Sequence, residues 1–287
     1  MTTAAAGERI AGHPLVPLEP FGVRIDATTP DARVTDLPVE RLRELARAHH
    51  LLLLRGFAGP RDAEELTEYC TRWGEIGMWP YGPVLELVEH EQPVDHIFDH
   101  RYVPLHWDGM YREEIAEFQI FHCVAAPGEH EGGRTTFCQT EAVLRTADPA
   151  HRRLWEQVTG RYSRDASQYA GECLSPVVTT SPAGHAVIRY NEPVPPGETF
   201  LNRPELQFSG VPEEQLAEFH RTLQAALHDA RHLYAHAWRT GDVVVADNYT
   251  LLHGREAFAS RSPRHLRRVH VLGDPPLRND ALVTSRG

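Results

Sequence analysis

The sequence predicts a mainly β fold, a sandwich or barrel core with helices packed outside it. Two observations carry this expectation. Short apolar runs recur between turns that hold Gly or Pro. Helical periodicity is confined to a few segments and does not alternate with the strands as parallel βαβ units require. The 287 residues show no repeat, no low-complexity tract and no Gly/Ser-rich linker, so one domain over 1–287 is expected, with 1–15 a flexible N-terminus.

The elements follow in order. From Pro38 to His50, Val39, Leu42, Leu45 and Ala46 fall at helical spacing. The run Leu51-Leu52-Leu53-Leu54-Arg55-Gly56-Phe57 is short and closed by glycine, and reads as a buried strand. Arg61 to Trp73 places Leu66, Tyr69, Cys70 and Trp73 on one helical face. Strands are expected over Phe118 to Val124, His185 to Tyr190, Asp242 to Ala246 and Arg268 to Leu272. A further helix is expected from Pro212 to about Tyr234, with proline suited to its first turn.

Composition narrows the function. The net charge is −11, which argues against nucleic acid or an anionic membrane as the main partner. There is no lysine, so all 29 basic residues are arginine. That removes Schiff-base and pyridoxal-phosphate chemistry and a Walker-type phosphate loop. Cys70, Cys123, Cys138 and Cys173 lack the close spacing of a zinc knuckle or redox pair and read as buried thiols in a reducing compartment. Met1 to Gly12 lacks a signal-peptide pattern, and no apolar run approaches the roughly 18 residues of a membrane span. A cytoplasmic protein with a small-molecule substrate is expected.

The chemistry-bearing residues are spread widely. His106-Trp107-Asp108 is the only His-x-Asp triplet, and in extended chain residues i and i+2 point to one side, so both could hold one ion. With 18 histidines, chance alone supplies about one such triplet, and either histidine by itself reads as a core residue. The context changes that reading. Gly132-Gly133-Arg134-Thr135 follows, and then His253 comes after the apolar strand Val243–Ala246, with Arg264 and Arg268 beyond it. Two histidines and one carboxylate form the facial triad of non-haem Fe(II) oxygenases, which leaves positions open for cosubstrates. Asp247-Asn248 reads only as a turn before His253.

The ordered set His-x-Asp, Gly-Gly-x-Thr and a distal His followed by Arg-x-x-x-Arg resembles the TauD/TfdA family of Fe(II)- and 2-oxoglutarate-dependent dioxygenases, from about Leu51 to Asp274. The wording His106-Trp107-Asp108-Gly109-Met110-Tyr111, Glu117-Phe118-Gln119 and Gly132-Gly133-Arg134-Thr135-Thr136-Phe137 is similar to the oxygenases paired with isonitrile synthases in the paerucumarin and rhabduscin pathways. This resemblance implies a double-stranded β-helix core (a jelly roll, cupin-like). It implies His106, Asp108 and His253 as iron ligands, and Thr135 and Arg264 on the distal carboxylate of 2-oxoglutarate. Arg268 would meet an acidic group of the substrate, and Trp79, Tyr81 and Tyr102 would contact it, with Tyr111, Phe118 and Tyr169 as further aromatic candidates. Strand spacing puts Arg264 and Arg268 on one face, while His270 and Val269 fall on opposite faces, so the apolar pattern does not decide which side is inside.

The activity so implied uses Fe(II), 2-oxoglutarate and O2 to desaturate an aromatic amino-acid isonitrile such as tyrosine isonitrile, with or without decarboxylation. The alternative within the family is hydroxylation of a free or carrier-bound amino acid. Outside it stand a non-catalytic metal-binding jelly roll and a zinc hydrolase, against which the complete cosubstrate set argues. Asp108 fills the position a halide would need, which argues against halogenation. No nucleic-acid or membrane partner is expected, and a homo-oligomer is compatible with the sequence.

Overall fold

The computed structural model describes residues 8–165 and 170–283. Its centre is a jelly roll of two mostly antiparallel sheets. The larger runs in the order Arg9–Ile10, His13–Pro17, Val23–Asp26, Leu51–Arg55, Val243–Asp247, Glu114–Ala125, His265–Arg278, Val84–Val88. The smaller runs Leu233–His236, Thr135–Gln139, Leu251–Arg255, Val103–His106. Phe121, Leu51, Leu53, Val244, Ala246 and Leu266 from the larger sheet pack with Phe137 and Leu251 from the smaller to fill the space between them.

The larger sheet is covered on both faces, and this explains its apolar runs. Leu52, Leu54, Val243, Val245, Phe118, Ile120, Val269 and Val271 turn outward onto Leu42, Leu45, Leu66, Tyr69 and Trp73. Those last five belong to the helices Val39–His49 and Ala63–Thr71 or follow directly after them. A strand with two apolar neighbours has no wet side, so Leu51 to Leu54 need not alternate with polar residues. The same packing settles the Arg264 to Leu272 register: Val269 and Val271 face the helices, and Leu266 faces the jelly-roll interior.

The outer face of the smaller sheet is closed by the helices Thr140–Thr146, Pro149–Trp155 and Glu213–Leu227. The first two were not expected, although Asp148 before Pro149 is a start signal: the Asp148 carboxylate accepts from the amides of Ala150 and His151. The third stops well short of Tyr234, because Leu233–His236 is taken up by pairing with Thr135–Gln139. Glu205–Ser209, Thr159–Asp165, Ala170–Pro176 and Leu282–Val283 form a further sheet.

The N-terminal expectation needs correction. Arg9–Ile10 pairs with His13–Pro14, and Leu15–Pro17 pairs with Val23–Ile25, so these residues edge the larger sheet rather than forming loose chain. All four cysteines are buried. Among the described residues no helix is long and apolar enough to cross a membrane.

Candidate active site

The smaller sheet brings the two distant histidines together. His106 ends the strand Val103–His106, and His253 lies opposite it in register on Leu251–Arg255, with ring centroids 4.2 Å apart. His106 Nδ1 is 2.9 Å from the Pro104 carbonyl, which requires a proton on Nδ1 and leaves Nε2 with its lone pair free. Asp108 follows in a turn rather than in extended chain, yet it reaches the same point. Its Oδ1 is 3.7 Å from His106 Nε2, and its Oδ2 is 3.8 Å from His253 Nε2. One ligand atom from each of the three lies within 4.8 Å of the others. Trp107 between them turns away into the core, where its indole N–H donates to the Asn248 carbonyl at 2.8 Å.

The charge state of this cluster suits a divalent cation. Burial pushes His106 down and His253 well down from the ordinary imidazole value, so both are neutral. Burial alone would raise Asp108, but the Arg268 guanidinium foremost holds it well below the usual carboxylate range. The result is two neutral imidazoles and one carboxylate.

Asp108 is itself gripped. Arg268 Nη1 donates to Oδ2 at 2.6 Å and Gln119 Nε2 donates to the same oxygen at 2.7 Å. His270 Nε2 stands 3.3 Å from it. The Asn248 side-chain amide donates to the Asp108 backbone carbonyl at 2.9 Å. Asn248, read from sequence only as part of a turn, therefore holds the segment that carries Asp108.

Beside the histidines is a small cavity of about 60 Å³, walled by His106, His253, Thr135, Arg264, Phe121 and Leu266 among others. Arg264 is buried, with Nε donating to the Gly133 carbonyl at 2.9 Å and Nη2 3.4 Å from Thr135 Oγ1. Trp238 donates to the same hydroxyl at 2.9 Å. Among the described residues no carboxylate pairs with Arg264, and burial, with the neighbouring Arg255, pushes it down to about 9. The Gly-Gly pair has a steric reason. Both residues have positive φ, and a Cβ on Gly133 would lie 2.9 Å from Arg264 Cδ, one on Gly132 2.4 Å from the Ala257 carbonyl oxygen.

On the other side of the cluster opens a cavity of about 280 Å³. Trp79, Trp107, Tyr111 and Phe200 form aromatic parts of its wall, and Arg268, His270 and Arg164 polar parts. Tyr81 stacks on Trp79 at 5.7 Å and is not part of the wall, nor is Tyr102. Phe118 points the other way, packed against Trp73, and Tyr169 lies outside the described residues.

The model of the taurine catabolism dioxygenase TauD, TfdA family matches residues 12–270. The chain belongs to the TauD/TfdA family. This TauD/TfdA chain is 50% identical over 264 residues to a tyrosine isonitrile desaturase of Pseudomonas aeruginosa, covering 91% of each. It is 35% identical to the 3-((Z)-2-isocyanoethenyl)-1H-indole synthase of Fischerella ambigua, over 95% of this chain and 100% of that one. Its fold superposes with a TM-score of 0.82 and 46% identity on PvcB, described as an Fe, alpha-ketoglutarate dependent oxygenase from an isonitrile synthetic pathway, over 94% and 96% of the two chains.

Proposed function

We propose that this TauD/TfdA chain uses Fe(II), 2-oxoglutarate and O2 to desaturate an aromatic amino-acid isonitrile such as tyrosine isonitrile. The observation that carries the reading is the pairing of a two-imidazole, one-carboxylate cluster with a buried arginine, Arg264, that has no acid partner among the described residues.

The residues fit the groups. His106, Asp108 and His253 would hold Fe(II), a cation that accepts imidazole and carboxylate together. Thr135 and Arg264 would hold the distal carboxylate of 2-oxoglutarate in the smaller cavity, where a guanidinium fork supplies both charge and orientation. When bound, these groups supply the oxidation: 2-oxoglutarate and O2 become succinate, CO2 and water as two hydrogens leave the substrate.

The chain's own contribution is placement. Arg268 binds Asp108 through Nη1, its Nε has no hydrogen-bond partner among the described residues, and the side chain lines the large cavity, where it would meet a substrate carboxylate. Trp79, Tyr111 and Phe200 offer aromatic surface to a phenol or indole ring. A carboxylate anchored at Arg268 and a ring held in this cavity leave the benzylic carbon between them as the carbon presented to the metal side.

Succinate and a vinyl isonitrile are expected when the purified protein meets Fe(II), 2-oxoglutarate, O2 and tyrosine isonitrile. Asp108→Ala is expected to abolish that coupled turnover. An unchanged yield in the variant would remove Asp108 from the metal site, and a hydroxylated product would replace desaturation with the hydroxylase reading.

A further inference from the structure

The two oxygens of Asp108 are treated differently. Oδ2 accepts from Gln119 Nε2 at 2.7 Å and from Arg268 Nη1 at 2.6 Å, and has His270 Nε2 at 3.3 Å. Oδ1 faces His106 Nε2 at 3.7 Å and, among the described residues, accepts no hydrogen bond. An oxygen that already accepts two hydrogen bonds is the weaker donor to a cation, so Oδ1 is the readier ligand even though Oδ2 stands 3.8 Å from His253 Nε2. Binding through one oxygen matters here, because three protein donors leave three octahedral positions open, and a second Asp108 oxygen would take one of them.

We infer that Gln119 is the positioning residue that keeps Asp108 a one-oxygen ligand, an inference that rests on the reading of His106, Asp108 and His253 as the Fe(II) site. Arg268 cannot do this alone. Its Nε has no hydrogen-bond partner among the described residues and the side chain lines the large cavity, so an anionic substrate engages the same guanidinium that holds Asp108. Gln119 has no such second duty. It is neutral and buried in the middle strand of three, opposite Ala246 on one side and His270 on the other. Its amide N–H stays on Oδ2 when the arginine turns to a substrate. On the adjacent strand His270 Nε2 lies 3.4 Å from Gln119 Nε2, within reach of the second hydrogen of that amide.

The test measures the metal, not turnover. Wild type, Gln119→Leu, Gln119→Met and Asp108→Ala are titrated anaerobically with Fe(II) in the presence of saturating tyrosine isonitrile and without 2-oxoglutarate, their Co(II) absorption spectra are recorded under the same conditions, and their metal-free melting temperatures are measured. Loss of an outer partner of a ligand typically costs 10–100-fold in metal affinity. The expected result is such a rise in Kd for the two Gln119 variants, a changed Co(II) spectrum as the carboxylate gains freedom to bind through both oxygens, and a melting temperature close to wild type. Gln119→Met preserves side-chain length should the leucine variant fail to fold. Folded Gln119 variants with Kd within twofold of wild type and an unchanged Co(II) spectrum would overturn the inference, provided Asp108→Ala loses metal. If Asp108→Ala retains wild-type affinity, the metal-site reading falls, and the role of Gln119 with it.

Discussion

Arg264 is held by neutral acceptors alone, the Gly133 carbonyl and the Thr135 hydroxyl. A buried guanidinium without an acid costs the fold stability and waits for an anion. Arg264→Met is therefore expected to weaken 2-oxoglutarate binding by the worth of a charge-assisted hydrogen bond, about 1.5–3 kcal/mol, or roughly 10–150-fold. The melting temperature without cosubstrate should not fall, because the deleted charge was unpaired. Calorimetric titration of 2-oxoglutarate into the metal-loaded variant checks this, and an unchanged Kd would remove Arg264 from the cosubstrate site. At this scale legibility followed sequence order. His106, Asp108, Thr135 and Arg264 each sit in a short string that says little by itself, and it is the order of those strings along the chain that resembles the family and implies their chemistry. Gln119 and His270 gain no role from that order: they meet only because two strands pair in register, 151 positions apart. A glutamine in a strand carries no signal of which carboxylate it will face.

Secondary-structure elements were most legible where one face is apolar, as in Val39–His49, and least where burial is on both faces. Leu51 to Leu54 read as buried, but only the sheet shows that Leu51 and Leu53 face the jelly-roll interior and Leu52 and Leu54 the helices. The turn joining Val243–Asp247 to Leu251–Arg255 hides a titration. Asp247 accepts from Thr250 Oγ1 at 2.8 Å and from the Tyr249 amide at 2.9 Å, yet burial pushes it up to about 7. The unfolded aspartate titrates near 3.9, so between about pH 4 and 7 the folded state binds more protons and loses stability as pH rises. His50, bonded to Thr250 and pushed down to about 4 by burial, has the opposite slope up to its unfolded value near 6.5. The two largely cancel in the wild type. Asp247→Asn keeps the turn's shape and removes one of them, so its stability relative to wild type should climb from pH 4 to 7 and level off, gaining at most about 4 kcal/mol. Urea unfolding at pH 4.5, 6 and 7.5 measures this; a pH-independent difference would mean that Asp247 is ionised throughout.

The whole molecule is two sheets that meet at the site from opposite sides. His106, His253 and Thr135 belong to the smaller sheet; Gln119, Arg268 and His270 belong to the larger, with Arg264 immediately before its strand. A metal held by His106, Asp108 and His253, with a cosubstrate on Thr135 and Arg264, would draw on residues that only the folded chain brings together. A ligand at 100 times its Kd stabilises by about 2.7 kcal/mol. In a chain of this size that corresponds to a rise in melting temperature of roughly 4–5 °C. Mn(II), a redox-quiet substitute, is expected to raise the melting temperature of the wild type, and EDTA to reverse it. 2-Oxoglutarate should add a second increment only when metal is present, because its anchorage needs both the ion and Arg264. Arg264→Met should retain the first increment and lose the second, while Asp108→Ala should lose both. A metal increment that survives in Asp108→Ala would place the ion elsewhere, and a 2-oxoglutarate increment that needs no metal would mean that Thr135 and Arg264 anchor the cosubstrate without the ion.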